Sequence, residues 1–156
     1  MALFLKNVVF TVIVPGTVAA YLPYAIGSRG AGGDPLDTGR ALVAAPLFLA
    51  GATIYFWCLW HFAVSGRGTP APIDPPTRLV VRGLYRRVRN PMYLGVLLVV
   101  AGWAVYYRSI AVIEYAVALA VLFHAFVVFV EEPLLRRRFG AAYDEYTRTV
   151  GRWLPR

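Results

Sequence analysis

The sequence predicts an all-α integral membrane protein, with four transmembrane helices in a bundle and an amphipathic helix at the carboxyl end. The first observation is composition: 59% of the 156 residues are hydrophobic, and the mean hydropathy is +0.59. Both values are too apolar for a soluble domain of this length. The second is pattern, because four apolar runs are continuous rather than alternating, which disfavours a transmembrane barrel. We expect a single domain over residues 1–156.

Each apolar run is predicted to cross the bilayer as a helix, which takes about 20 residues. The predicted spans are approximately residues 5–26, 41–64, 91–107 and 110–131. The third is short, and it gains length if Pro91 and Met92 are already helical. Only Arg108 and Ser109 separate the third and fourth runs, so these two spans are predicted to form a tight helical hairpin.

Basic residues predict the orientation in the membrane. The net charge is +8, and the arginines cluster at the ends of apolar runs. This position favours a role in setting the membrane orientation and in contacting anionic lipid headgroups over a role in binding nucleic acid. The two clusters are Arg67, Arg78, Arg82, Arg86, Arg87 and Arg89, and then Arg136, Arg137, Arg138, Arg148, Arg152 and Arg156. With four spans, both termini and the long connection lie on one side. The excess of arginine predicts that this side is the cytoplasmic face of the cell (inner) membrane.

The segment after Pro133 is predicted to be an amphipathic helix at the membrane interface. Apolar residues recur there at helical spacing between arginines and acids, and Trp153 is placed as an anchor at headgroup level. The alternative is an ordinary amphipathic helix that docks on the protein's own loops.

The stretch RVRNPMYLG places polar residues directly before the third apolar run. Asn90 is predicted to cap the helix and Pro91 to start it, since these residue types favour those positions. Arg89 and the positive helix end would then attract an anionic group. A capped helix start with a lipid-binding arginine is the alternative.

The stretch HAFVVFVEEP ends the fourth apolar run with two carboxylates. Pro133 discourages regular helix at the residue before it, so the span is predicted to end at Glu131 and Glu132. His124 lies two turns before Glu131, on nearly the same helix face, and a hydrogen-bonded packing role is its alternative. We expect no metal site, because a metal would need more histidine or carboxylate partners than these.

These motifs together resemble the isoprenylcysteine carboxyl methyltransferase and phospholipid methyltransferase superfamily of membrane enzymes. The resemblance covers about residues 66–155. The pattern G-x-Y-x-x-x-R-[HN]-P-x-Y-x-G is matched by Gly83, Tyr85, Arg89, Asn90, Pro91, Tyr93 and Gly95. A hairpin then leads to Glu131 and Glu132, and the tail matches F-G-x-x-Y-x-x-Y through Phe139, Gly140, Tyr143 and Tyr146.

The resemblance implies S-adenosylmethionine as methyl donor and S-adenosylhomocysteine as product, bound near the cytoplasmic ends of the last two spans. Arg89 suits the donor's carboxylate, and Glu131 or Glu132 can accept from its ribose hydroxyls or amino group. Tyrosine faces suit adenine or the sulfonium. The residues expected to bind the cofactor are Gly83, Tyr85, Arg89, Asn90, Pro91, Tyr93, Gly95, His124, Glu131, Glu132 and Tyr143.

The resemblance leaves the acceptor open between a lipid amine, a lipophilic thiol or carboxylate, and an isoprenoid-like molecule. Glu132 is the candidate general base if the acceptor arrives protonated. A carboxylate acceptor needs no base, and Arg89 or another arginine of the loop is expected to orient it. Asn90 replaces the histidine common before the proline in the carboxyl methyltransferases, so acid–base chemistry is absent at that position. The alternative function is a non-catalytic membrane protein that binds lipid headgroups or scaffolds a complex. Oligomeric state is left open.

Overall fold

The computed structural model describes residues 2–30, 37–62, 64 and 79–156 of the chain. Within these ranges the secondary structure is helical, with no strand and a single isolated bridge between Val88 and Gly151. The α-helices are α1 (Ala2–Pro15), α2 (Leu22–Gly30), α3 (Thr38–His61), α4 (Pro91–Tyr107), α5 (Ile110–Phe126), α6 (Glu132–Phe139) and α7 (Ala141–Thr149). A 3₁₀ turn (Gly83–Arg86) and two π-helical segments (Gly16–Tyr21 and Val127–Glu131) complete them.

Among the residues that the structure describes, three helical stretches are long and apolar enough to cross a membrane: Thr11–Gly30, Thr38–His61 and Ile110–Phe139. They confirm the all-helical membrane class. Helix α4 has 17 residues, about 25 Å at 1.5 Å per residue, against a hydrocarbon core of about 30 Å. A crossing by α4, and with it the count of four spans, stays a prediction.

The helix of the last apolar run does not stop before Pro133, as that proline led us to expect, but continues through it to Phe139. The end of the membrane span at Glu131 and Glu132 stays a prediction. A proline lacks the N–H that an α-helix needs and clashes with the carbonyl four residues earlier. Here a π-helical turn precedes it, in which the Glu132 N–H reaches back to the Val127 carbonyl. The wider turn gives the proline room without ending the helix.

The same device occurs in the first helical stretch, where a π-helical segment precedes Pro23. Two carbonyls in that segment accept hydrogen bonds from side chains of other helices. The Trp103 indole donates to the Ala19 carbonyl at 3.0 Å, and the Tyr115 hydroxyl donates to the Val18 carbonyl at 2.7 Å. Helices α4 and α5 therefore satisfy backbone groups that the irregular helix leaves free.

Helices α3 and α4 cross at a pair of glycines. A Cβ on Gly51 would lie 2.6 Å from the Gly95 carbonyl oxygen, and one on Gly95 would lie 2.9 Å from the Gly51 oxygen. Small residues let membrane helices approach at backbone distance. Gly95 therefore has a packing role that fixes how α4 lies on α3.

The predicted hairpin between α4 and α5 is present. Arg108 ends α4 in the left-handed conformation, with φ of 48°. The Ser109 side chain then accepts a hydrogen bond from the Val112 N–H and caps α5. A two-residue connection is thus enough to reverse the chain.

The tail forms two helices that are broken at Gly140, where φ is +53°. The buried face of α7 carries Tyr143, Tyr146 and Val150, and it packs on Leu79 and other apolar side chains of the protein itself. This packing favours the docked alternative for that face. The position of the tail at a membrane interface stays a prediction.

Candidate functional site

The carboxyl-terminal segment is tied to the connection that precedes α4. Val88 and Gly151 form the isolated parallel bridge, and the Arg89 N–H donates to the Gly151 carbonyl at 2.8 Å. The Asn90 side-chain amide donates to the Arg152 carbonyl at 3.1 Å. These bonds hold the segment before α4 and the carboxyl-terminal segment side by side.

The contact brings Arg89, Glu132 and Arg152 together as a charge cluster. Arg89 Nη1 lies 3.0 Å from Glu132 Oε1, while Arg152 reaches the same carboxylate in bidentate fashion, with Nε 2.6 Å from Oε1 and Nη2 3.0 Å from Oε2. The side chains of Arg89 and Glu132 are only 10% and 11% exposed. Two guanidinium groups and one carboxylate give the charge cluster a formal charge of +1.

One donor of this cluster has no partner among the described residues: Arg89 Nε is buried and unpaired. A buried polar group without a hydrogen bond is costly and calls for an explanation. A positively charged cluster with a free donor is suited to an anion, because hydrogen bonds from guanidinium to carboxylate are short and strong.

Two tyrosines of α7, Tyr143 and Tyr146, lie next to the charge cluster. The Tyr146 hydroxyl donates to the Tyr85 carbonyl at 2.6 Å, and burial raises the pKa of this phenol. Burial, and next the Glu132 carboxylate, raise the pKa of Tyr143. Both phenols therefore stay protonated at neutral pH, and Tyr146 acts as a hydrogen-bond donor.

Beside the charge cluster lies an aromatic corner made of Tyr93, Phe123, His124 and Trp153. The Tyr93 hydroxyl donates to Glu131 Oε2 at 2.9 Å, and its ring lies 4.7 Å from Phe123 and 6.3 Å from Trp153. The Trp153 indole N–H donates to His124 Nδ1 at 3.0 Å.

An apolar cavity of about 90 Å³ opens behind this corner. Tyr93 and Phe123 are shared between the corner and the cavity wall, so the polar site and an apolar space meet at these two rings. The cavity is lined by Val14, Pro15, Val18, Tyr55, Met92, Tyr93, Val96 and Phe123.

The residues predicted to bind a cofactor divide into two groups in space. Arg89, Asn90, Glu132 and Tyr143 gather at or beside the charge cluster. Tyr93, His124 and Glu131 gather at the aromatic corner.

The four remaining residues predicted to bind the cofactor are explained by packing or by helix geometry. Gly83 has φ of +58°, and a Cβ there would lie 2.5 Å from His61 Nε2. The Tyr85 ring is buried against Phe62, at 5.5 Å between centroids. Gly95 forms the helix crossing described above. Pro91 occupies the first turn of α4 as predicted.

The predicted capping role of Asn90 is wrong in one respect. Asn90 stands at the N-cap position of α4, but its side chain makes no capping hydrogen bond. Its amide is instead used to hold the Arg152 carbonyl. The tail competes for the same side chain, and the tertiary contact is the one formed.

Sequence reasoning missed Arg152 and the role of Trp153. Arg152 looked like one of several tail arginines, and charge counting cannot separate a buried pairing from a solvated one. A signal was available, however, because a carboxylate held in the interior needs cationic partners. The structure adds a contact of Trp153 with His124, and the placement of Trp153 at headgroup level stays a prediction.

Together, the apolar helices and the enclosed charge cluster define a helical membrane protein with a polar site at one end of its bundle. A family model for phospholipid methyltransferase matches residues 40–142. This match covers more than half of the chain, from α3 through both glutamates into the start of α7, so the chain belongs to the phospholipid methyltransferase family and is a membrane methyltransferase. Among curated proteins, none matches the chain.

Proposed function

We propose that the protein transfers a methyl group from S-adenosylmethionine to a lipophilic acceptor at the cytoplasmic face of the cell membrane. The observation that carries the proposal is the charge cluster beside the aromatic corner, in a chain of a methyltransferase family. Family membership favours this function over the non-catalytic alternative.

The charge cluster fits the amino-acid end of the methyl donor. Arg89 and Arg152 suit its carboxylate, since Arg89 retains a buried unpaired donor and the cluster is net positive. Glu132 suits its ammonium group. When bound, the donor supplies an electrophilic methyl group on a sulfonium, and the methyl transfer leaves a neutral thioether.

The two adjacent glutamates have different surroundings, which supports different roles. Both oxygens of Glu132 accept hydrogen bonds from guanidinium groups, so this carboxylate is held as a binding group. Glu131 accepts a hydrogen bond from Tyr93, and in the described part of the chain no guanidinium contacts it. We therefore propose Glu131 as the first candidate for proton acceptance when the acceptor arrives protonated, with Glu132, the base expected from the sequence, as the second candidate.

The acceptor is placed on the apolar side of the site. The cavity beside Tyr93 takes its apolar portion, and alignment of acceptor and methyl group is then the protein's main contribution to the rate. A lipid amine, a thiol and a carboxylate, each with a lipophilic body, are the acceptor classes to be tested.

The proposed orientation of the site in the membrane is supported by the helix ends that lie beside it. Thr11 and Tyr55 are hydrogen-bonded at 2.9 Å, and Tyr55 and Met92 line the same cavity. The start of the first stretch, the end of α3 and the start of α4 therefore lie at the end where the tail docks. The excess of arginine at this end supports the proposal that it, with both termini, faces the cytoplasm.

Two measurements on detergent-solubilised protein test the proposal. S-adenosylhomocysteine should bind saturably, and Arg89→Ala should weaken binding by about tenfold or more, since it removes one charged contact. Arg148→Ala is the matched control, because that side chain is 77% exposed.

The second measurement incubates membranes with methyl-labelled donor and asks which lipid fraction or protein carries the label. Label in a lipid amine, thiol or carboxylate identifies the acceptor class. Wild-type protein that neither binds S-adenosylhomocysteine nor transfers label would return the non-catalytic alternative.

A further inference from the structure

The aromatic corner contains a feature that the amino-acid end of the donor does not use. Trp153 follows Arg152 directly in the chain, yet the two side chains reach different parts of one long helix. Arg152 contacts Glu132, and Trp153 contacts His124. These two helix positions are eight residues apart, or about 12 Å along the helix axis.

We propose that Trp153, held by His124, is the stacking surface for the adenine of the methyl donor. The proposal rests on the function proposed above and names a subsite within the same site. A donor anchored by its carboxylate at Arg89 and Arg152 has its ribose and adenine at the other end. The aromatic corner offers rings for the base at the helix position that Trp153 contacts.

The surroundings of Trp153 suit stacking rather than simple burial. Its N–H is already satisfied by His124 Nδ1, and the Tyr93 ring meets the indole edge-on, at an interplanar angle of 69°. The indole nevertheless remains partly exposed. An oriented, partly exposed indole can take a second ring on its free surface, and a nucleobase offers a π-face for this contact.

The arrangement also positions the reactive methyl group. With the amino-acid end at the charge cluster and adenine at Trp153, the sulfonium would lie between them, on the side of Tyr93. This is the residue that separates the polar site from the apolar cavity. The methyl group is then presented toward the space assigned to the acceptor.

Intrinsic tryptophan fluorescence provides a test that does not depend on turnover. Titration with S-adenosylhomocysteine should change the emission of the wild type and of Trp60→Leu, a matched control at a 67% exposed position. Trp153→Leu should lose most of this change and bind the ligand about 10- to 100-fold more weakly, the range expected for one lost base–aromatic stack.

Two further comparisons keep the test decisive if Trp153→Leu folds poorly. His124→Ala retains the indole but releases its N–H, and it should weaken S-adenosylhomocysteine binding by several-fold. Free adenosine should compete less well for binding to either variant, while free homocysteine should compete as it does with the wild type.

The outcomes separate this subsite from the proposed function. If the wild type binds S-adenosylhomocysteine and both variants bind it equally well with an unchanged fluorescence response, the stacking assignment is overturned and the methyl-donor site stands. If the wild type shows no saturable binding by calorimetry, the proposed function fails and the subsite fails with it.

Discussion

Replacing Arg152 with alanine removes the bidentate contact between the tail and the buried carboxylate. Two charge-assisted hydrogen bonds are lost, at 2.6 and 3.0 Å, and such bonds contribute about 1.5–3 kcal/mol each when fully buried. Arg152 is 33% exposed, and Glu132 keeps its bond from Arg89. Solvent screening and the remaining partner reduce the loss to about 2 kcal/mol.

The same substitution removes half of the positive charge offered to the donor's carboxylate. We expect the variant to unfold at lower temperature in detergent because of this loss of stability. It should also bind S-adenosylhomocysteine more weakly, by about 10-fold or more, since one charge-assisted contact to the ligand's carboxylate is removed. Arg152→Lys keeps the charge without the planar fork and should fall between the two. Arg148→Ala should match the wild type. Binding of Arg152→Ala within twofold of the wild type, in a folded sample, would refute the assignment of Arg152 to the site.

Three further predictions concern the helix crossing, the tail and the acid–base chemistry. Gly51→Ala should destabilise the protein by about 1–3 kcal/mol, because the added methyl group overpacks against α4. Gly30→Ala is the control and should not destabilise it, since a Cβ there meets nothing within 4 Å. Equal melting temperatures for the two variants would contradict this prediction. Tyr146→Phe should lower stability by about 1 kcal/mol at neutral pH. Because burial raises the pKa of Tyr146, the stability advantage of the wild type over this variant should shrink as the pH rises above about 10; a constant difference up to pH 12 would argue against the bond. Glu131→Gln should slow methyl transfer to a protonated acceptor by about 100-fold while S-adenosylhomocysteine affinity stays within threefold, and unaffected transfer would remove Glu131 from the chemistry.

The helical class and the hairpin could be predicted from the sequence because they depend on local patterns. Continuous apolar runs indicate helices buried in lipid. A connection of only two residues, Arg108 and Ser109, forces the two helices that it joins to lie side by side in opposite directions. The first turn of α4 was likewise predictable, since Pro91 is itself suited to that position. These features need no knowledge of distant contacts.

The features that sequence reasoning missed depend on contacts between distant residues. The continuation of the helix through Pro133 depends on a π-helical turn that no single residue type marks. The side chain of Asn90 serves Arg152, which lies 62 positions further along the chain. The pairing of Arg152 with Glu132 required the tail to fold back, and no local pattern distinguishes that arginine from its neighbours.

Two glycines of the motif show how a prediction from family resemblance differs from the contacts in the structure. Gly83 and Gly95 were grouped as cofactor-binding residues because they belong to the family-like pattern. In the structure, Gly83 accommodates a positive φ beside His61, and Gly95 admits the backbone of α3. Membership of the motif therefore does not reveal that these two glycines have packing explanations, and the three-dimensional contacts do.

Photolabelling tests the central claim most directly. Methyl-labelled S-adenosylmethionine would be irradiated on the purified protein, with and without excess S-adenosylhomocysteine, and the labelled peptides sequenced. We expect competitor-sensitive label in peptides that contain Arg89 to Tyr93, His124 to Glu132, or Arg152 and Trp153. Label confined to the first helical stretch or to α3, or label that the competitor does not reduce, would contradict it.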